Sequence, residues 1–104
     1  MYEYIVSEAL KRREVHDNLW KYLEMFKRVV LEVDPNAEIY LFGSVAEGVW
    51  NYSSDIDILI ITVKDKLKIL EALAKEDYMK FFDVHIRSPT EASWYKIMTK
   101  LVRI

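Results

Sequence analysis

Two segments decide how this sequence folds: Glu38-Ile39-Tyr40-Leu41-Phe42-Gly43-Ser44 and Ser54-Asp55-Ile56-Asp57-Ile58-Leu59-Ile60-Ile61. The first is an apolar run closed by Gly-Ser, which predicts a strand over residues 38–42 that ends in a tight turn. The second is almost continuously apolar after its aspartates and predicts a buried strand over residues 55–63. The ten residues between Ser44 and Asp55 are expected to hold a short helix from Ser44 to about Gly48. A polar and aromatic loop follows, Val49-Trp50-Asn51-Tyr52-Ser53-Ser54.

The chemistry of these residues points one way. Gly43 can take backbone angles closed to other residues and lets an anion approach the main chain. Ser44 adds a hydroxyl and a backbone N–H, and if it opens a helix, the helix end adds further N–H groups. Side chains two apart on a strand share a face, so Asp55 and Asp57 are expected to converge. Two such carboxylates repel unless a cation or proton lies between them, and hard oxygen donors suit Mg²⁺ better than zinc. An isolated Asp-x-Asp is usually a surface strand start, and an isolated Gly-Ser is an ordinary turn. Together, one strand apart, they imply metal-assisted transfer of a nucleotide or phosphate group.

A third carboxylate is expected from a neighbouring strand. Asp83 is the candidate, within a strand predicted over residues 80–87 in which Phe82, Val84 and Ile86 alternate against Phe81, Asp83, His85 and Arg87. His85 shares the face of Asp83 and reads as a solvated or hydrogen-bonded histidine, with orienting an acceptor or contacting phosphate as the alternative. His16 carries no functional expectation. Trp50 and Tyr52 suit either loop packing or contact with a base or partner, and Trp94 and Tyr95 suit core or subunit contacts.

Outward from this centre, one long helix is predicted from about Ser7 to Val33. Leu19, Leu23, Phe26, Val30 and Val33 form its apolar stripe, widened by Val15, Tyr22 and Val29. Asp34-Pro35-Asn36 stops it. A further helix over residues 66–75 is expected to turn Leu67, Leu70, Leu73 and Ala74 inward, with Asp65 as its cap. Ser88-Pro89-Thr90-Glu91 has the pattern of a capping box with proline at the first helical position. A last helix is therefore expected from Pro89 to about Leu101. The elements alternate between helix and strand, so the expected fold is an α/β (α+β) domain with a small mixed sheet of three to four strands flanked by helices.

Composition agrees. The 104 residues are 52% hydrophobic and 31% charged, with two glycines and two prolines, which describes one ordered domain. Residues 1–34, 37–63 and 79–101 are expected to supply the first helix, the Gly-Ser and Asp-x-Asp strands, and the third-carboxylate strand with its helix. The net charge of −2 argues against nucleic acid as a direct partner. There is no cysteine, which excludes disulfides and thiolate sites and makes a cytoplasmic setting the expectation. No run reaches the length of a membrane span, and the first residues lack a signal-peptide pattern.

Gly43-Ser44-Val45-Ala46-Glu47-Gly48, followed by Ser54-Asp55-Ile56-Asp57-Ile58-Leu59-Ile60, resembles the minimal nucleotidyltransferases of the DNA polymerase beta superfamily. Asp83-Val84-His85-Ile86, Pro89 and Trp94-Tyr95 are similar to their C-terminal part, so the resemblance spans residues 37–98. It implies a nucleotidyltransferase-type fold. It also implies that Gly43 and Ser44 hold a triphosphate, that Asp55 and Asp57 bind Mg²⁺, and that Asp83 completes a site for two ions and helps to activate the attacking hydroxyl. ATP or another NTP would be the substrate. Many relatives have arginine where this chain has Glu47. Members commonly pair with a small HEPN-domain protein as the antitoxin of a toxin–antitoxin module and can attach AMP to its tyrosine. The resemblance thus implies a HEPN partner, with a homo-oligomer as a further expectation. The alternative is a non-catalytic antitoxin that neutralises its partner by binding it.

Overall fold

The computed structural model describes residues 2–104. Its elements run α1 (Tyr2–Asp17), α2 (Leu19–Val33), β1 (Glu38–Phe42), α3 (Gly43–Glu47), β2 (Ile56–Ile61), α4 (Lys66–Leu73), a 3-10 helix (Asp77–Phe81), β3 (Phe82–Arg87), α5 (Pro89–Met98) and β4 (Val102–Arg103). The four strands form one mixed sheet in the order β3-β2-β1-β4. β1 pairs antiparallel with β2 and with β4, while β2 and β3 run parallel. The expected α/β class with a small mixed sheet is the one found.

Alternation along the strands gives the sheet two different faces. Ile39 and Leu41, Ile56, Ile58 and Ile60, and Phe82 and Ile86 point to one side and merge with Leu23, Phe26 and Val30 of α2 and Ile69 and Leu73 of α4. Each such aliphatic side chain contributes about 1.5–3 kcal/mol by leaving water. On the other side only part of the sheet is covered. Leu59 and Ile61 pack under Ala92 and Tyr95 of α5, with Tyr40, Phe42 and Leu101 at the margin. The strand positions beyond that cover are Asp57, Asp83 and His85, none of them in the core.

Several expected elements differ in detail. The single long helix is two helices broken at Asn18, whose amide donates to the Glu14 carbonyl at 3.0 Å and to its carboxylate at 3.2 Å. Such a side chain competes with the helical ladder, and the Tyr22 hydroxyl bridges the break by donating to the Glu14 carboxylate. The apolar stripe of α2 is as read, with Tyr22, Leu23, Phe26 and Val30 buried. On α4 the inward residues are Ile69 and Leu73; Leu67, Leu70 and Ala74 are exposed. A short helix with apolar residues on most sides does not declare its buried face, and packing against α2 decides it.

Phe81 belongs to the 3-10 helix and is buried, so β3 starts at Phe82 rather than residue 80. The last helix ends at Met98, and β4, which sequence reasoning did not anticipate, adds a two-residue edge to β1. Two residues carry no periodicity to detect. The caps behave as read: Asp65 accepts from Leu67 N–H at 3.0 Å, and Ser88 and Glu91 form the reciprocal capping box. Buried Asp34 ties the end of α2 to the end of β2, accepting from Thr62 Oγ1 at 2.5 Å and from Asn36 N–H at 3.0 Å.

Candidate active site

The uncovered end of the second sheet face gathers the chemistry. Asp57 is the second residue of β2 and lies directly opposite Asp83 in the parallel register with β3. Register alone therefore puts both carboxylates on one face, one strand apart. His85, two residues along β3, joins them: one donor atom from each of Asp57, Asp83 and His85 lies within 4.8 Å of the others. The His85 ring is oriented from both ends, with Nε2 at 3.3 Å from Asp83 Oδ2 and Nδ1 at 3.0 Å from the Tyr95 hydroxyl. Phe42 closes the apolar side, edge-on to both His85 and Tyr95.

The Gly-Ser turn abuts this group. Gly43 has φ +74°, and a Cβ placed there would fall on Asp57 Oδ2 and lie 3.1 Å from its Cγ. Main chain thus runs against the carboxylate where a side chain has no room. The second glycine of the chain, Gly48, ends α3 with φ +75°. Ser44 is half-buried just inside α3, and Glu47 is exposed at its end.

Asp55 is placed otherwise than expected. It precedes β2, so strand alternation does not align it with Asp57, and it does not join the group of three. Its carboxylate faces Arg12 of α1 at 3.5 Å. The Arg12 guanidinium also reaches the Ser54 carbonyl at 3.4 Å and lies 4.9 Å from the centre of the Phe81 ring. α1 therefore holds the entrance to β2, a role of Arg12 that sequence reasoning did not foresee.

His16 was missed in the same way. It is buried, donates Nε2–H to the Ser54 carbonyl at 2.9 Å, and stacks on Trp50 with ring centres 4.7 Å apart. Tyr52 donates to Asp17 at 2.7 Å and takes Arg13 against its ring. Trp50 and Tyr52 thus pack the loop onto α1. With Nε2–H donated, Nδ1 carries a buried lone pair without a partner among the described residues. Burial, aided by nearby Arg12 and opposed by the Ser54 bond, pushes the imidazole below its ordinary value.

The unfolded chain therefore takes up this proton first as pH falls. The stability from neutral His16 is complete above pH ~6.5 and is lost as pH drops through the lower folded-state value. Melting temperatures followed from pH 8 to pH 5 are expected to fall in the native protein and to fall less steeply in His16→Asn. Equal slopes would remove His16 as the cause.

Asp57 is shifted upward, first by burial and then by the Asp83 charge, with Asp55 adding to it and His85 opposing. The fold thus keeps two carboxylates close at an electrostatic penalty that a bound cation would relieve. Oxygen donors from Asp57 and Asp83 suit a divalent metal ion, and the exposed side of Asp83 leaves space for water or substrate. The donor set fits.

Comparison with known proteins bears on the same segment. A family model for the nucleotidyltransferase domain matches residues 23–102. The crystal structure of a candidate nucleotidyltransferase is 30% identical, with 80% of this chain and 97% of that one aligned and a TM-score of 0.61. A second candidate nucleotidyltransferase, from Sulfolobus solfataricus, has a TM-score of 0.59 over 89% of this chain and 85% of its own. At 22% identity it supports the fold alone. No curated protein matches the chain.

Proposed function

The chain belongs to the nucleotidyltransferase domain family, and from that premise we propose that it moves AMP from ATP, or another nucleoside monophosphate from its triphosphate, onto an acceptor hydroxyl. The acceptor oxygen forms a bond to the α-phosphorus, the bond to the β-phosphate oxygen breaks, and pyrophosphate leaves. The observation that carries this reading is the Asp57–Asp83 pair in register with Gly43 packed on it. Asp57 and Asp83 would hold Mg²⁺, and Asp55 would join them as a ligand for a second ion only once released from Arg12. When bound, the metal supplies charge stabilisation at the phosphate and lowers the pKa of the acceptor hydroxyl. Gly43 and Ser44 receive the triphosphate through the main chain and the serine hydroxyl. Asp83, on the exposed side, takes the acceptor's proton.

The acceptor we propose is a tyrosine of a HEPN-domain partner, with this chain as the antitoxin of the pair. What supports it is an open site whose outer carboxylate is reachable by a macromolecule, together with the family resemblance. The Arg12–Asp55 ion pair favours a second reading, a binding antitoxin that neutralises its partner without chemistry. Incubation with α-labelled NTPs, Mg²⁺ and the protein encoded beside it separates the two. The first reading expects label on the partner, abolished by EDTA. Partner inhibition with no label and no nucleotide binding supports the second and sets the first aside.

A further inference from the structure

The group of three contains a nitrogen donor where an Mg²⁺ site would be expected to hold oxygens. We infer that Asp57, Asp83 and His85 form a mixed oxygen–nitrogen ligand set for one divalent cation and that this set selects Mn²⁺ over Mg²⁺. The inference concerns the site used in the proposed function, and it stands or falls on metal binding rather than on transfer.

Three observations carry it. First, the donor atoms are within 4.8 Å of one another, and backbone register puts all three residues on one face, because Asp57 and Asp83 are opposed and His85 follows two residues along β3. Second, the His85 ring is held as a ligating ring is held. Nδ1 meets the Tyr95 hydroxyl at 3.0 Å and Nε2 lies 3.3 Å from Asp83 Oδ2, so that with a cation in place of the Nε2 proton, Nδ1–H would donate outward to the Tyr95 oxygen. A hydrogen-bond partner on the far nitrogen fixes both tautomer and orientation in metal-binding histidines. Tyr95 is itself anchored, its side chain buried between α5 and Leu59 and Ile61 of the sheet and edge-on to Phe42. Third, the carboxylate that would complete an all-oxygen set is directed elsewhere, since Asp55 pairs with Arg12.

The consequence follows from ligand chemistry. Mg²⁺ demands hard oxygen ligands and gives up its water reluctantly. First-row transition dications accept imidazole more readily, and Mn²⁺ is the member of that series that still favours carboxylates. Two carboxylates and one imidazole therefore suit Mn²⁺.

Mn²⁺ titration followed by electron paramagnetic resonance, on protein carrying no affinity tag, reads this directly. The bound ion is expected to show electron spin-echo modulation from a directly bonded ¹⁴N. The chain has only two histidines, and His16→Asn is expected to keep the modulation while His85→Asn loses it. Affinity for Mn²⁺ is expected to exceed that for Mg²⁺ by ~10-fold or more and to fall ~10-fold in Tyr95→Phe, which keeps the ring but removes the hydroxyl. Mn²⁺ bound without ¹⁴N modulation, or not bound at all, overturns the inference, even if His85→Asn should fail to fold. Label transfer supported by Mg²⁺ in the absence of any ¹⁴N signal would leave the transferase reading standing and remove this one.

Discussion

Asp57→Asn is expected to lower nucleotidyl transfer on the order of 10³-fold while leaving the metal-free protein as stable as the native one, or more so. The first part follows from the role proposed for the carboxylate as the inner metal ligand. A bound cation supplies several kcal/mol of charge stabilisation to phosphoryl chemistry, and each ~1.4 kcal/mol lost is tenfold in rate. The second part follows from the direction of the Asp57 shift. Burial and the opposed Asp83 hold its carboxyl above the usual carboxylate value. A group whose folded value is raised in this way weakens the fold when ionised, and the penalty disappears as pH falls through that value. The neutral amide removes the penalty at neutral pH. Label transfer, with thermal melts in EDTA at pH 7, checks both halves. A variant that transfers at the native rate removes Asp57 from the reaction, and one that melts well below native contradicts the electrostatic account.

Gly43→Ala is expected to be damaging for two separable reasons, and Gly48→Ala tells them apart. Both glycines have φ near +75°, where a Cβ costs about 1–2 kcal/mol. Only at Gly43 does that Cβ also collide, with the Asp57 carboxylate; at Gly48 nothing among the described residues lies within 4 Å. Gly48→Ala should therefore lose about 1 kcal/mol and retain activity. Gly43→Ala should lose more stability and should displace the Asp57 carboxylate, reducing transfer by ~10²-fold or more, since small misplacements at a reacting centre carry such penalties. Denaturant melts and initial rates for the two variants provide the comparison. Asp57→Ala in the Gly43→Ala background should recover part of the lost stability and none of the activity, the coupling expected of residues in contact. Equal stability losses at the two glycines would show that the collision relaxes without consequence.

Much of the fold was legible because local and global signals agreed. The stripe from Leu19 to Val33, the reciprocal Ser88–Glu91 cap and the two apolar strands each carry information in their own residues. Asp83 was legible as the acid of a strand in which Phe82, Val84 and Ile86 alternate against it, and the structure puts it opposite Asp57. What stayed hidden depends on contacts distant in sequence. Nothing near Arg12 or His16 announces that they reach residues 38 to 43 positions away. Asp55 was aligned with Asp57 by extending strand alternation one residue beyond the strand. The parallel pairing of β2 with β3, which makes the group of three, is a property of chain topology and not of either strand. The break at Asn18 was masked because the apolar stripe continues across it.

The parallel pairing also sets where this domain tolerates rearrangement. A parallel neighbour requires a crossover, here α4 and the 3-10 helix, and Ile69, Leu73, Tyr78 and Phe81 pack that crossover into the core face of the sheet. The site lies on the other face, so the loop at exposed Lys75 between the two helices faces away from the chemistry. That loop is the natural place to splice in a fluorescent or affinity module, because a change of length there leaves Asp57 and Asp83 in the same register.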